Sequence, residues 1–293
     1  MAYRELAFPV DKVRIFLAMI KIEHTVFALP FAYIGALLGQ KQIPALLSLF
    51  WITAAMVGAR TAAMSLNRLI DRHIDALNPR TANRALPKGF LAVNEVRFYT
   101  FLSLALLLLS ACQLSPLALM LSPLAVAILV FYPYTKRFTW TSHLFLGLAL
   151  GCAPLGAWIA LTNDIALTPV LLCLGVVFWT AGFDIIYACE DYHFDISAGL
   201  HSIPARFGVK AALTMSTLFH LVALAFFILV AFTGKMGLFY LIGLVIAAFL
   251  IFKQHLLVSP ADLSRAETAF FNLNGLLSVV LFIFTLLDVL FWR

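Results

Sequence analysis

Two short runs of oxygen-bearing side chains, in separate halves of the chain, have the residue types and spacing of divalent-cation ligands. Asn67, Asp71 and Asp75 follow one another at four-residue steps, and Asp191 and Asp195 repeat the same step. Four residues are close to one helical turn, so each run lies on one face of a helix, with successive oxygens about 6 Å apart along the axis. The spacing therefore predicts two helix ends that offer carboxylate and amide oxygens to a cation.

The ligand type favours Mg²⁺ over Zn²⁺. Mg²⁺ takes a few protein oxygens, keeps several waters and bridges to substrate phosphates, whereas Zn²⁺ is typically bound by Cys and His. None of the four cysteines and seven histidines has the spacing of a zinc-ligand pair. The alternative is that the carboxylates are merely solvated, or paired with Arg68, Arg72 and Arg206. Because the acidic pattern occurs twice and basic loops follow it, we favour the functional interpretation.

An arginine and an aspartate precede the two acidic runs at matching distances. Arg60 lies seven residues before Asn67, and Asp184 lies seven residues before Asp191. Two helical turns return each to the face of its run, about 10 Å deeper. Both are expected to point into one polar pocket, where the planar guanidinium of Arg60 suits a substrate carboxylate. An Arg60–Asp184 ion pair that only holds helices together is the alternative.

Basic residues that follow the acidic runs could grip a diphosphate. We interpret Arg80, Arg84, Lys88, Lys136 and Arg137 as a cationic lid beside the metal ions. The alternative is that they only mark the cytoplasmic side of a membrane protein, where basic loops accumulate.

The elements that must position these residues are membrane-spanning helices. With 63% hydrophobic residues, 12% charged residues and a mean hydropathy of +1.00, the 293-residue chain is not a water-soluble domain. Apolar runs near spanning length predict about nine helices in a single domain, 1–293. The predicted spans are 14–39, 44–70, 93–113, 116–135, 141–161, 168–189, 210–232, 237–257 and 267–291.

The distribution of basic residues predicts the orientation. Lys and Arg precede the first span and follow the second, and they are sparse on the opposite side. The amino terminus and the acidic runs are therefore expected on the cytoplasmic side of a bacterial-type inner membrane. The net charge of +6 is attributed to topology and to attraction by anionic lipids, so the expected partner is the bilayer and not nucleic acid. No obligate protein partner is indicated.

Both acidic runs resemble the motifs of a known family. Residues 58–75 are similar to the first motif of the UbiA prenyltransferase superfamily, N-x-x-x-D-x-x-x-D. Asp184, Tyr187, Ala188, Asp191 and Asp195 match its second motif, D-x-x-Y-A-x-x-D-x-x-x-D. Further similar features are Asn78-Pro79-Arg80-Thr81, Asn83-Arg84, Leu86-Pro87-x-Gly89 and Tyr132-Pro133-x-x-Lys136-Arg137.

The resemblance implies an all-α bundle of about nine transmembrane helices around a central cavity, with about two Mg²⁺ ions and a lateral opening for a lipid tail. It implies transfer of a polyprenyl group from polyprenyl diphosphate to a hydroxylated aromatic acid. The implied metal ligands are Asn67, Asp71, Asp75, Asp191 and Asp195. The implied substrate-binding residues are Arg60, Asp184, Tyr187, Arg80, Arg84, Lys136 and Arg137. The candidate catalytic residues are Asp71, Asp191 and Arg60, with Asp191 placed to orient the phenol or accept the ring proton.

Two stretches narrow the resemblance to a branch of the family. Residues 21–30 and 59–64 are similar to UbiA-like enzymes of menaquinone synthesis through futalosine, which implies 1,4-dihydroxy-6-naphthoate as the acceptor. Close relatives use 4-hydroxybenzoate for ubiquinone, and both acceptors are hydroxylated aromatic acids. The alternatives are a family member that prenylates a haem or chlorophyll precursor, and a polytopic ion or solute transporter, which also combines many helices with intramembrane acids.

Overall fold

A computed structural model describes residues 9–21 and 28–292, and the architecture of these residues is all-helical, as predicted. Eight of the described helical segments are long and apolar enough to cross a bilayer. The helices are α1 Pro9–Met19, α2 Leu29–Gln40, α3 Leu46–Leu77, α4 Val93–Leu114, α5 Pro116–Thr135, α6 Ser142–Thr162, α7 Leu167–Ala188, α8 Tyr192–Ser197, α9 Ile203–Phe207, α10 Val209–Thr233, α11 Leu238–Leu256, α12 Ala266–Thr268 and α13 Asn274–Phe291.

The first predicted span, 14–39, is two shorter helices and not one continuous helix. After α1 the chain reaches Lys21, whose φ of 49° lies in the left-handed region, and α2 begins at Leu29 with Pro30 in its first turn. Twelve residues of α2 extend about 18 Å, less than the roughly 30 Å of a hydrocarbon core. Glu23 and His24, which interrupt the predicted span, lie outside the described residues. The count of about nine therefore corresponds to eight long helical segments and the short α2 in the described chain.

The helix that carries the first acidic run is longer than predicted. α3 has 32 residues and extends about 48 Å, so it cannot lie wholly within hydrocarbon unless strongly tilted. Asn67, Asp71 and Asp75 all fall in its last three turns, on the continuous helix that their spacing requires. The second run differs, because α7 ends at Ala188 and tightens into the 3₁₀ turn Cys189–Asp191 before α8 begins.

Close backbone contacts of α6 with its neighbours position the centre of the bundle. A Cβ atom on Gly147 would lie 2.3 Å from the Val177 carbonyl oxygen of α7, and one on Gly35 would lie 2.1 Å from the Pro154 carbonyl oxygen of α6. Small residues let membrane helices approach closely enough for such packing. The contact between α6 and α7 brings His143, in the first turn of α6, beside Asp184 of α7.

The outer surface of the bundle is apolar. Phe232, Val245 and Leu119 are among many large hydrophobic side chains that are exposed on the spanning helices, and Phe232 is 74% exposed. In water each such side chain would cost roughly 1.5–3 kcal/mol relative to burial. Lipid is therefore the solvent of this surface, and the chain is an integral membrane protein.

Candidate active site

The ends of α3 and α7, with the loops that follow them, enclose a polar cavity of about 310 Å³. Asp71 of the first acidic run and Asp195 of the second both line it, so the two runs share one space. Two residues of the predicted cationic lid, Lys88 and Arg137, lie outside the cavity lining. The predicted site residues that line the cavity are Arg60, Asn67, Asp71, Asp75, Arg80, Arg84, Lys136, Asp184, Tyr187, Asp191 and Asp195.

Asp71 is the most buried carboxylate of the site, at 1% exposure. Its Oδ2 atom lies 2.6 Å from the ammonium of Lys136, and its Oδ1 atom lies 3.2 Å from the guanidinium of Arg137. Asn67 donates a further hydrogen bond of 3.2 Å from its amide. Arg137 also donates to the Ile70 carbonyl at 2.9 Å, so this arginine supports Asp71 from behind.

The loop after α3 connects the two acidic runs. Arg84 reaches back to Asp75 at 2.7 Å. Asn78 donates to the Oδ1 atom of Asp191 at 3.0 Å, and the guanidinium of Arg80 engages both oxygens of the same carboxylate. A loop that follows the first run thus holds the second run in place across the cavity.

Arg80 makes the most contacts of the basic residues. Besides Asp191, it donates to the hydroxyl of Tyr187, and its guanidinium lies 4.8 Å from the centre of the Tyr187 ring. Burial lowers the pKa of Arg80, but the hydrogen bond to Asp191 and the negative charge of Asp191 raise it by more than burial lowers it. The pKa of Arg80 is therefore raised overall. Arg80 therefore stays charged at any physiological pH.

Asp184 contacts a histidine and not Arg60. The Nδ1 atom of His143 lies 2.6 Å from Asp184 Oδ2, and His143 Nε2 accepts the backbone N–H of Ile203 at 3.3 Å. Because Nε2 is an acceptor, Nδ1 carries the proton that is donated to Asp184. The Arg60–Asp184 ion pair considered from sequence is absent from the described residues, although both side chains line the cavity.

A second cavity, of about 270 Å³, adjoins the polar one and lies between α3, α4, α5 and α6. Its lining is almost entirely aliphatic, and Arg60, Met64 and Tyr132 border both cavities. Leu124, which lines it, is 60% exposed, so the cavity reaches the lipid-facing surface. An elongated apolar chain could extend from the polar cavity into the bilayer along this route.

Several site residues were not predicted from the sequence. Asn78 belongs to the family-like stretch Asn78-Pro79-Arg80-Thr81, but the neighbouring sequence does not indicate that its side chain contacts Asp191. Ser202, whose hydroxyl donates to Asp195 at 2.8 Å, and His143 have no spacing that marks them. Phe270 and Phe271 of the last spanning segment also line the cavity and read as ordinary apolar residues.

The donor set fits Mg²⁺. Among the described residues no three His, Cys, Asp or Glu side chains converge closely enough to bind one ion by themselves. Instead, each of two helix ends offers a pair of carboxylates, with an amide on α3. Such sparse oxygen sites suit an ion that completes its shell with water and substrate phosphate.

Comparisons with known proteins agree with this geometry. Residues 28–276 match the model of the UbiA prenyltransferase family. The chain is 31% identical over 232 residues to the 4-hydroxybenzoate octaprenyltransferase of Haemophilus ducreyi, which covers 79% of this chain and 83% of that protein. It is 33% identical over 217 residues to the enzyme of the same name from Vibrio atlanticus, covering 73% and 75% of the two chains.

Solved structures show the same fold. The apo structure of a UbiA homologue from Aeropyrum pernix superposes with a TM-score of 0.83 at 37% identity, over 91% of this chain and 98% of that chain. A UbiA homologue from Archaeoglobus fulgidus, solved with DMAPP and Mg²⁺, superposes with a TM-score of 0.70 at 20% identity, over 94% and 99% of the chains. The family match covers most of the sequence, and the all-helical architecture accords with it. The chain belongs to the UbiA prenyltransferase family.

Proposed function

We propose that this protein transfers a polyprenyl group from polyprenyl diphosphate to a hydroxylated aromatic acid, 4-hydroxybenzoate or 1,4-dihydroxy-6-naphthoate, in ubiquinone or menaquinone synthesis. The observation that carries the proposal is that two adjoining cavities share Arg60, Met64 and Tyr132 in their linings. One cavity contains the carboxylates and the basic side chains, and the other is apolar and lined in part by the lipid-exposed Leu124. The names of the curated relatives, 4-hydroxybenzoate octaprenyltransferases, support the same reaction class.

In this proposal the two acidic runs hold about two Mg²⁺ ions. Asn67, Asp71 and Asp75 bind on the α3 side, and Asp191 and Asp195 bind on the α7 side. When bound, the ions neutralise the diphosphate and so make it a better leaving group. The Mg²⁺-bound relative from Archaeoglobus fulgidus supports this assignment through its shared fold.

The basic residues take the diphosphate oxygens. Lys136, Arg80 and Arg84 line the cavity and contact the same carboxylates that are the proposed ligands. Each can change partner, from a carboxylate to a phosphate, without leaving the site. Their positive charge then stabilises the negative charge that grows on the leaving group. Arg137 does not contact the diphosphate in this proposal, and it instead orients Asp71 by hydrogen bonds to Asp71 and to the Ile70 carbonyl.

The acceptor is proposed to bind where the two cavities meet. Arg60 borders both cavities, and its guanidinium would pair with the acceptor carboxylate. Both oxygens of Asp191 already accept hydrogen bonds from Arg80, and one also from Asn78. Asp191 is the proposed group that orients the phenol or accepts the ring proton, although a metal ligand is a poor base. Asp184 is a second candidate, because His143 orients it and it is not a proposed metal ligand.

The charge distribution extends the proposal to topology. The basic residues of the site, and the amino terminus, would face the cytoplasm of a bacterial-type inner membrane. The whole chain would act as one domain, since both acidic runs and the apolar route are needed for one reaction.

The test is turnover by purified protein in detergent, given Mg²⁺, a polyprenyl diphosphate and each aromatic acid in turn. We expect prenylation of at least one acid, and its loss in Asp191→Asn. The matched control is Asp262→Asn, since Asp262 is an exposed loop carboxylate that does not line the cavity. A transporter would show no turnover, so a wild-type protein that prenylates neither acid would contradict the proposal.

A further inference from the structure

The last spanning segment contains an irregular turn at the cavity. Residues Ala269–Leu273 form a π-helical turn between α12 and α13. Such turns are rare and occur frequently at functional sites, because they insert one residue and redirect the side chains around it. The side chain of Asn274, which is fully buried, donates to the Ala269 carbonyl at 3.2 Å and to the Phe270 carbonyl at 2.8 Å. The irregular backbone is thus held by a polar side chain positioned to satisfy it.

The turn directs two aromatic rings toward the polar cavity. Phe270 and Phe271 both line it. Phe270 stacks on Tyr187, with ring centres 4.4 Å apart and an interplanar angle of 28°, and meets Phe183 edge-on at 5.1 Å. Its position is therefore fixed by α7. Phe271 lies edge-on to Phe270 at 4.7 Å, and the ammonium of Lys21 lies 5.0 Å from the Phe271 ring centre.

This aromatic wall is separate from the route proposed for the prenyl tail. The apolar cavity is lined by α3 to α6, and neither Phe270 nor Phe271 borders it. The wall borders only the polar cavity, together with Arg60 and Asp184. A planar ring held at this wall would have its carboxylate partner and its hydroxyl partner in the same space. Aromatic rings pair favourably in stacked or edge-to-face geometry, beyond the burial of their area.

We propose that the π-helical turn forms the acceptor subsite, in which Phe271 contacts the ring of the aromatic acid and selects its size, and Asn274 is the positioning residue that holds the turn. The inference rests on the proposed function, because it assigns a place to the acceptor of that reaction. Phe270 acts as the support between Phe271 and Tyr187.

The first test compares Phe271→Ala with Phe282→Ala in the purified protein. Phe282 is the matched control, because it is on the same helix, packs against Tyr33 at 5.6 Å and lines neither cavity. For Phe271→Ala we expect about a tenfold rise in the KM of the preferred acid, equivalent to about 1.4 kcal/mol. The KM of the polyprenyl diphosphate should stay within about twofold of the wild-type value, which is roughly the scatter of the assay. The ratio of kcat/KM for the naphthoate over the benzoate should shift in the same variant.

The second test concerns Asn274. Asn274→Leu removes the amide that donates to the Ala269 and Phe270 carbonyls, and we expect it to raise the acceptor KM with a smaller change in kcat. Asn274→Gln keeps an amide and should therefore recover part of the acceptor affinity. A general folding defect would instead lower kcat for all substrates and the yield of protein. Phe271→Ala provides the result if the Asn274 variants do not fold.

The outcomes separate the two proposals. A wild-type protein that prenylates no aromatic acid contradicts the proposed function itself. An active wild type, with Phe271→Ala unchanged in acceptor KM and in acceptor preference, overturns the acceptor subsite alone. A rise in the KM of the diphosphate without a rise for the acid would place the aromatic wall at the prenyl group, and would also overturn the inference.

Discussion

Replacement of Arg80 by Lys tests whether the fork of the guanidinium, and not only its charge, is needed at the site. Arg80 donates to both oxygens of Asp191 and to the hydroxyl of Tyr187, over whose ring it lies. Lys keeps the positive charge but cannot make two parallel contacts with a carboxylate or a phosphate. The variant therefore removes geometry while it preserves net charge.

The structure sets the size of the expected effect. A hydrogen bond to a charged group contributes about 1.5–3 kcal/mol, and a cation–π contact at an accessible site about 0.5–1 kcal/mol. The Arg80 side chain is 33% exposed, so solvent screening reduces these contributions. We expect a net loss of about 2 kcal/mol of transition-state stabilisation, which is roughly 30-fold in kcat/KM for polyprenyl diphosphate.

The assay is steady-state prenylation in detergent at saturating acceptor, with Mg²⁺ varied independently. Arg97→Lys is the control, since Arg97 is exposed, lies outside the cavity lining and donates to the Asn94 amide oxygen at 3.3 Å. The control should match wild type within about twofold, in line with the small effect of surface substitutions. If Arg80→Lys retains wild-type kcat/KM, the bidentate contact has no part in catalysis, and the reasoning from geometry fails.

Three further predictions address the metal ligands, the acceptor and the packing. Asp71→Asn should reduce Mg²⁺-dependent prenylation below about 1% of wild type, because metal polarisation supplies several kcal/mol; retained turnover would exclude Asp71 as a ligand. Arg60→Ala should raise the acceptor KM by about 10- to 150-fold, the value of a charge-assisted contact, and an unchanged KM would remove the carboxylate argument. Gly147→Ala should lower the thermal midpoint in detergent, because the new methyl would lie 2.3 Å from the Val177 carbonyl oxygen, with an overpacking cost of about 1–3 kcal/mol. Gly156 is on the same helix, and a Cβ atom there would have no other atom within 4 Å, so Gly156→Ala should leave the thermal midpoint unchanged. Equal midpoints for the two variants would contradict the close approach of α6 and α7.

Much of the fold could be predicted because membrane helices are specified locally. Apolar runs, punctuated by Gly, Pro and polar residues, identified the long spans to within a few residues at most ends. The first span was wrong in detail, since a hydropathy pattern does not show that Lys21 leaves helical geometry or that a new helix, α2, begins at Leu29. α3 also extends to Leu77, because a helix continues past the hydrocarbon where its polar side chains find partners.

The acidic runs were evident from spacing alone, but their partners were not. Lys136 and Arg137 contact Asp71 from the turn that follows α5, and Arg80 reaches Asp191 from the loop that follows α3. Sequence indicated only that basic residues would lie on the same side of the membrane. It had no means to choose which base meets which acid, because that choice depends on where separate helices end relative to one another.

The amino-acid sequence by itself determined the class of protein, most of the long helical spans and the two runs of proposed oxygen ligands, since each of these follows from short-range periodicity and composition. Only the tertiary structure decided that Asp184 contacts His143 and not Arg60, and that the π-helical turn held by Asn274 brings Phe270 onto Tyr187. These contacts join residues far apart in the chain, and they arise from the packing of whole helices and from the need to satisfy buried polar groups. No local pattern encodes them.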